Sequence, residues 1–322
     1  MPTFHPDLAA ARFIPPFTLS PRLLRLMRRG AARRPDVPDD IRISDVEIPG
    51  EPATSVRVYE PVGRRGPSAA LLWIHGGGFV LGSPEQDDRT SIDFARELGL
   101  TVVAVRYRLA PEHPSPAALV DAYAALVWLF GEAESRGIDP TRIAIGGASA
   151  GAGLAAALAL YAHDRGEVRP AFQLLVYPML DDRTVTRPGL DTRGVRMWTP
   201  GSNRFGWTAY LGGEPGSAGV SPYAAPARRE DLSGLPQAWI GVGANDLFHD
   251  EDVEYARRLV EAGVPCELRV VDGAFHGFDA VFRNAGVTRR FWSAQADALR
   301  GGLRLGGGAP GSASYEAEHT RD

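Results

Sequence analysis

The stretch Gly147-Ala148-Ser149-Ala150-Gly151 constrains this chain more than any other. It stands between two runs of opposite character. Before it, Thr141-Arg-Ile-Ala-Ile-Gly146 is short, β-branched and apolar, and reads as a buried strand. After it, residues 153–161 are dense in Ala and Leu and read as a helix. A G-x-S-x-G between strand and helix puts its serine on a sharp turn, with the hydroxyl pushed outward. Glycines on either side leave room where strand and helix cross. The helix start adds free N–H groups that favour developing negative charge. In a chain with 37 glycines the pattern alone recurs by chance, so its weight comes from its surroundings.

Those surroundings repeat strand, turn and helix. Residues 41–48 and 54–60 alternate apolar and polar around Pro49-Gly50, which predicts an antiparallel pair at a sheet edge. Strands are expected over 70–75, 101–107, 141–146, 172–177, 237–243 and 267–271. Helices are expected over 86–98, 116–134, 153–161, 251–262 and 288–303. Near-continuous apolar strands alternating with helices mean an α/β fold, a mostly parallel sheet covered on both faces. Ligands on such sheets bind beyond the carboxyl ends of the strands. The 322 residues suit one such core, 41–181 with 233–305, carrying an insertion. Residues 182–232 lack strand pattern but carry Trp198, Phe205, Trp207 and Tyr210, so they read as an ordered cap. Residues 1–40 read as a second cap segment, and the Gly-rich 306–322 as a disordered tail.

Composition removes several function classes. The net charge of −4 gives no footprint for nucleic acid. All 35 basic residues are Arg. The single cysteine, Cys266, excludes an internal disulfide, fits a reducing cytoplasm and reads as a buried structural thiol. No apolar run reaches the roughly 18 residues of a membrane span. With Asp7, several prolines and Arg25 inside its longest apolar run, the N-terminus does not read as a signal peptide. Residues 21–34 set Leu23, Leu24, Leu26 and Met27 against Arg22, Arg25, Arg28 and Arg29. That pattern fits a membrane-surface helix, or, the reading adopted, a helix covering the domain's own surface. No metal-ligand cluster, phosphate loop or nucleotide fingerprint occurs, so neither metal nor cofactor is expected.

The remaining chemistry lies at predicted strand ends. His75-Gly76-Gly77-Gly78 follows the strand 70–75, and its glycines let backbone N–H groups face a cleft, as an oxyanion site requires. The N–H after the serine, that of Ala150, completes the set. A serine nucleophile needs a base and the base an orienting carboxylate. His276 sits just past the last strand, in Asp272-Gly-Ala-Phe-His276-Gly-Phe, whereas His249 comes too early in its loop. Asp246 and Asp250, after the strand 237–243, are both placed to orient it. The order Ser, Asp, His is the one met in α/β-hydrolases.

Taken together, the chain resembles the hormone-sensitive-lipase-like carboxylesterases of the α/β-hydrolase fold. The resemblance rests on His75-Gly76-Gly77-Gly78-Phe79, Tyr107 to Pro114, Gly147 to Gly151, Tyr177-Pro178, Asp246-Leu247 with Asp250-Glu251, and His276-Gly277-Phe278. It implies Ser149 as nucleophile, Asp246 as triad acid and His276 as general base. It also implies Gly77, Gly78 and Ala150 as oxyanion donors, His75, Glu112 and His113 as scaffold, a cap from the N-terminal segment and the insertion, and homodimers. Two positions depart from the family pattern: Ala148 stands where an acidic residue usually precedes the nucleophile, and Leu247 stands where a proline usually follows the triad acid.

The expected activity is hydrolysis of short- to medium-chain acyl esters through an acyl-enzyme, with a small-molecule ester as partner. Phe79, Leu81, Trp198, Phe205, Trp207 and Tyr210 either line an apolar acyl pocket or form the cap's own core. The competing activity is that of an amidase or small-peptide hydrolase on the same machinery. A reading from another class is a non-catalytic small-molecule receptor on the same fold.

Overall fold

The computed structural model describes residues 3–30, 37–64 and 66–305. Its strands are β1 (Ile41–Ile48), β2 (Thr54–Pro61), β3 (Ser68–Ile74), β4 (Thr101–Arg106), β5 (Ile138–Ala148), β6 (Phe172–Val176), β7 (Gln237–Gly243) and β8 (Cys266–Val271). They form one sheet in the order β1-β2-β4-β3-β5-β6-β7-β8. The pairs β1–β2 and β2–β4 are antiparallel, and from β4 to β8 every pair is parallel. The helices are α1 (Pro21–Arg28), α2 (Asp88–Leu98), α3 (Ala117–Gly131), α4 (Ala150–Arg165), α5 (Pro200–Leu211), α6 (His249–Glu261), α7 (Phe278–Val281) and α8 (Gly286–Gly302).

The continuous apolar runs follow from burial on both faces. Every residue of β3 is buried, and alternate side chains enter opposite cores. Ala70, Leu72 and Ile74 join the core that contains α3, α4 and α6. Ala69, Leu71 and Trp73 join the one that contains α2 and α8. Helix α4 is buried almost all round, which explains its run of Ala and Gly: a central helix meets neighbours on every side.

Several boundaries differ from expectation. Strand β5 runs Ile138–Ala148 and not over 141–146. Helix α4 starts at Ala150, directly after the serine, and not at residue 153. The N-terminal helix ends at Arg28, short of the expected end, and residues 31–34 of the expected helix lie outside the described residues. So does the tail expected over 306–322.

The insertion holds α5 and short 3-10 turns, with no strand among the described residues. It packs on the N-terminal segment to make the cap. The Leu19 N–H donates to Ser202 Oγ at 2.9 Å, Thr199 Oγ1 donates to the Phe17 carbonyl at 3.1 Å, and Arg196 Nε donates to the Ala11 carbonyl at 3.0 Å. Arg28 then ties α1 to the core. Its guanidinium donates to the Val80 carbonyl at 2.9 Å, to the Ala110 carbonyl at 2.6 Å, and to both oxygens of Glu112. Helix α1 buries Leu24 against the domain while Leu26 stays 66% exposed. No helix among the described residues is long and apolar enough to cross a membrane.

Helix α6 carries two buried acids on its inner side. Glu251 accepts the N–H groups of Leu180 and Asp181, at 2.7 and 3.1 Å, and the Thr184 hydroxyl, so it fixes the chain where the insertion begins. Burial nevertheless pushes its carboxyl up to about 8. Asp252 is fully buried, and neither carboxyl oxygen has a partner. Burial, and secondarily Glu251 and Asp246, raise it far above the usual carboxylate range. Both groups hold a proton when folded that the unfolded chain releases at lower pH. Their contribution is therefore complete in acid and is lost as pH rises toward the folded values. Asp252→Asn should accordingly lose less Tm than wild type as pH rises above the ordinary carboxylate range. Parallel Tm-versus-pH curves for the two proteins would show that Asp252 does not carry a proton in the native state.

Candidate active site

The serine turn takes its shape from backbone crowding. Ser149 adopts φ 57° and ψ −122°, a conformation an L-residue holds only when its surroundings force it. Those surroundings are specific. The Ser149 N–H donates to the Val176 carbonyl at 2.9 Å, and the Ser149 carbonyl accepts the N–H groups of Gly153 and Met179. A Cβ on Gly151 would land on the carbonyls of Ile74 and His75, and one on Gly147 would land 2.6 Å from the Gly151 carbonyl carbon. Both glycines are needed because β3, β5 and α4 meet there with no space left.

From this turn the Ser149 hydroxyl reaches His276, with Oγ 2.8 Å from Nε2. On the far side of the ring, Nδ1 lies 2.8 Å from Asp246 Oδ2. The other Asp246 oxygen accepts the Phe248 N–H at 3.0 Å, which fixes the carboxylate. All three side chains are buried. The structure thus joins Ser149, His276 and Asp246, brought from the ends of β5, β8 and β7. Asp250, the other acid considered, points away: it pairs with Arg187 at 3.0 Å on the surface. His249 contacts Asp250 and is likewise outside the cluster.

The glycine loop lies beside the serine. An added Cβ on Gly76 would lie 3.4 Å from Ser149 Cβ. Gly77 and Gly78 have φ of 126° and 61°, both in the left-handed half of the map. The Gly77 carbonyl is used within the loop, by the N–H groups of Val80 and Leu81. Among the described residues no acceptor takes the N–H of Gly77 or Gly78. The Ala150 N–H opens α4, where it has no intrahelical partner. His75 props the loop from below. Its Nδ1 sits 2.8 Å from the Gly76 carbonyl, its ring stacks on Tyr107 at 4.2 Å, and the Tyr107 hydroxyl donates to its carbonyl. Burial pushes the His75 imidazole down to about 4, so it is neutral at neutral pH.

The six aromatic and aliphatic residues proposed for the acyl pocket divide in two. Phe79, Trp207 and Tyr210 are fully buried and pack on one another, with Phe79 stacked on Tyr210 at 3.8 Å. Leu81 and Phe205 are half-buried beside the same core. Trp198 comes down from the cap onto the glycine loop, so that any Cβ on Gly78 would collide with its indole. Its Nε1 donates to Asn203 Oδ1 at 3.2 Å.

Some supporting residues carried no role in the sequence reading. Glu251 and Asp252 lie at the start of the inner stripe of α6, with Tyr255, Ala256 and Leu259. Helical spacing alone could have marked them as buried acids. Tyr177 and Asp279, which meet beside His276 at 2.9 Å, are 102 residues apart in sequence, and no local pattern links them.

A family model described as alpha/beta hydrolase fold matches residues 71–280. The carboxylic ester hydrolase LipN of Mycobacterium tuberculosis is 36% identical over 271 residues, covering 82% of this chain and 71% of LipN. Esterase LipI of the same organism is 35% identical over 293 residues, covering 86% of this chain and 88% of LipI. Among solved structures, a bacterial heroin esterase is 40% identical with a TM-score of 0.84, covering 94% of this chain and 99% of its own.

The crowding at the serine turn gives a direct test. Gly151→Ala sets a methyl group against backbone, which cannot move aside, and should cost about 3 kcal/mol or more, or abolish folding. Gly213→Ala, where an added Cβ meets nothing, should change stability by about 0.5 kcal/mol or less. Denaturant unfolding of the two variants checks this; equal stabilities would contradict the close approach.

Proposed function

The chain belongs to the α/β-hydrolase family, among its hormone-sensitive-lipase-like carboxylesterases, and from that premise we propose that it hydrolyses short- to medium-chain acyl esters through a covalent intermediate on Ser149. The observation that carries this reading is the unbroken chain Asp246–His276–Ser149, 2.8 Å at each link, beside a glycine loop in which the Gly77 and Gly78 N–H groups have no acceptor among the described residues.

Each group has one task. His276 Nε2 takes the hydroxyl proton as Ser149 Oγ attacks the acyl carbon. Asp246 holds Nδ1–H, fixing the tautomer and stabilising the imidazolium without itself taking the proton. The oxyanion that forms is met by the N–H groups of Gly77, Gly78 and Ala150, and donors fixed in the backbone need little reorganisation. The alcohol departs with the proton from His276. Water then enters, His276 again acts as base, and the acid is released from Ser149.

The limit on chain length is supported by the cap. Trp198 sits on Gly78, and the Phe79, Trp207 and Tyr210 rings fill the volume behind it, so space beside the oxyanion loop is short.

Two measurements test the reading. On a p-nitrophenyl ester series from C2 to C16, wild type should turn over the short members fastest, and Ser149→Ala should lose activity by about four to six orders of magnitude. A faster rate on C16 than on C4 would overturn the chain-length assignment, and unchanged activity in Ser149→Ala would overturn the nucleophile. Activity should also fall as pH drops, since a general base must be unprotonated to take the serine proton. Full activity at about pH 4 would exclude His276 from that role.

A further inference from the structure

Tyr177 stands out on two independent counts. It is a bulky aromatic residue with φ of 39°, a backbone state that costs of order 1–3 kcal/mol and persists only where the surroundings impose it. It also touches the proposed base. Its ring meets the His276 ring edge-on, with centroids 4.8 Å apart, and its hydroxyl donates to Asp279 Oδ1 at 2.9 Å.

The surroundings that impose the strain are visible. The Tyr177 N–H donates to the Gly241 carbonyl at 2.7 Å, which fixes the residue to β7. Val176, just before it, accepts the Ser149 N–H, and Met179, two residues on, donates to the Ser149 carbonyl. Tyr177 is therefore held by the same short segment that holds the serine turn. Its side chain reaches across to the His276 loop, where Asp279 follows His276 by three residues and lies in the first turn of α7. The Tyr177–Asp279 hydrogen bond spans the gap between the segment that positions Ser149 and the loop that carries His276.

We propose that Tyr177 and Asp279 are positioning residues for ester hydrolysis: their hydrogen bond clamps the His276 loop to the serine segment, and the Asp279 carboxylate sets a second negative charge beside the imidazole. The inference rests on the assignment of His276 as base. Asp246 grips the ring at Nδ1 and leaves it a hinge; the Tyr177 edge on one side and Phe248, 5.1 Å away at 88°, on another restrict its tilt.

The groups that face Asp279 come from three elements. Tyr177 comes from the end of β6, His276 from its own loop, and Asp87 from the 3-10 turn before α2, while its own N–H and that of Ala280 also point at the carboxyl. Burial raises the Asp279 carboxyl, and the Tyr177 hydroxyl, the two N–H groups and His276 oppose that. Asp87 accepts from Trp73 Nε1 at 2.8 Å; burial is the larger cause, and Asp279 a lesser one, of its rise to about 6, while Arg283 lowers it.

Two near-isosteric variants separate clamp from charge. Asp279→Asn keeps an acceptor for the Tyr177 hydroxyl but removes the charge. It should move the acid limb of the kcat/KM profile to lower pH by about half a unit. Tyr177→Phe keeps the ring and the carboxylate but removes the hydrogen bond. It should lower kcat about tenfold with KM for p-nitrophenyl butyrate within about twofold, because the base is misplaced while the ester site is not. An unmoved acid limb in Asp279→Asn overturns the charge, and an unchanged kcat in Tyr177→Phe overturns the clamp. If one variant does not fold, the other still decides its half. A wild type inactive on every ester would overturn the proposed function, a result distinct from either of these.

Discussion

The contact on which the rest depends is backbone against backbone. Gly151, in the first turn of α4, lies against the carbonyls at the end of β3, and Gly147 of β5 lies against Gly151. Nothing larger than hydrogen fits at either place. Because the helix begins so close to the strand end, Ser149 is forced out of the sheet into a left-handed conformation and its hydroxyl projects over the carboxyl edge. The same closeness brings Gly76 to the serine, so the glycine loop and the serine are set by one crossing. Loosening it would move the proposed nucleophile and the proposed oxyanion donors together, and displacements of about 1 Å are enough to cost about a hundredfold in rate.

What could be read in the sequence was whatever left a local trace. The buried strands were visible as apolar runs, and the β1–β2 edge as alternation around Pro49-Gly50. His75–Gly78, Gly147–Gly151, Asp246 and His276 were visible because each stands at a predicted strand end. Spacing alone left Asp246 and Asp250 both open, and only the family resemblance named Asp246; in the structure Asp246 precedes α6 and reaches His276, whereas Asp250 lies in the first turn of α6 and pairs with Arg187 on the surface. The shift of the α4 start from 153 to 150 has a similar origin: Ala150-Gly-Ala-Gly has weak helix preference, and packing overrides it. The pairings of Tyr177 with Asp279 and of Trp198 with Gly78 leave no local trace, since each joins segments about a hundred residues apart, although Tyr177-Pro178 was visible as part of the family resemblance. Trp198 could be named as an aromatic in a cap, but not as the residue that seats on the glycine loop.

The distribution of backbone strain ties these elements to function. Among the described residues, five non-glycine residues have positive φ: Phe79, Ser149, Tyr177, Met197 and Arg304. Four of the five surround the proposed site. Phe79 ends the glycine loop, Ser149 is the proposed nucleophile, Tyr177 contacts His276, and Met197 precedes the tryptophan that covers Gly78. Strain of this kind, of order 1–3 kcal/mol per residue, survives only when the surroundings over-determine the backbone. Here the surroundings are a sheet whose central strands are buried on both faces and whose register is fixed at each pair. The sheet needs none of these four conformations for its own hydrogen bonding, since each lies just past a strand end or in the cap. Their common result is to bring the Ser149 hydroxyl, the Tyr177 ring and the Trp198 indole together around His276 and the glycine loop. That economy places the strain where reacting atoms must be held still, and it makes the rigid sheet the source of the geometry that the loops display.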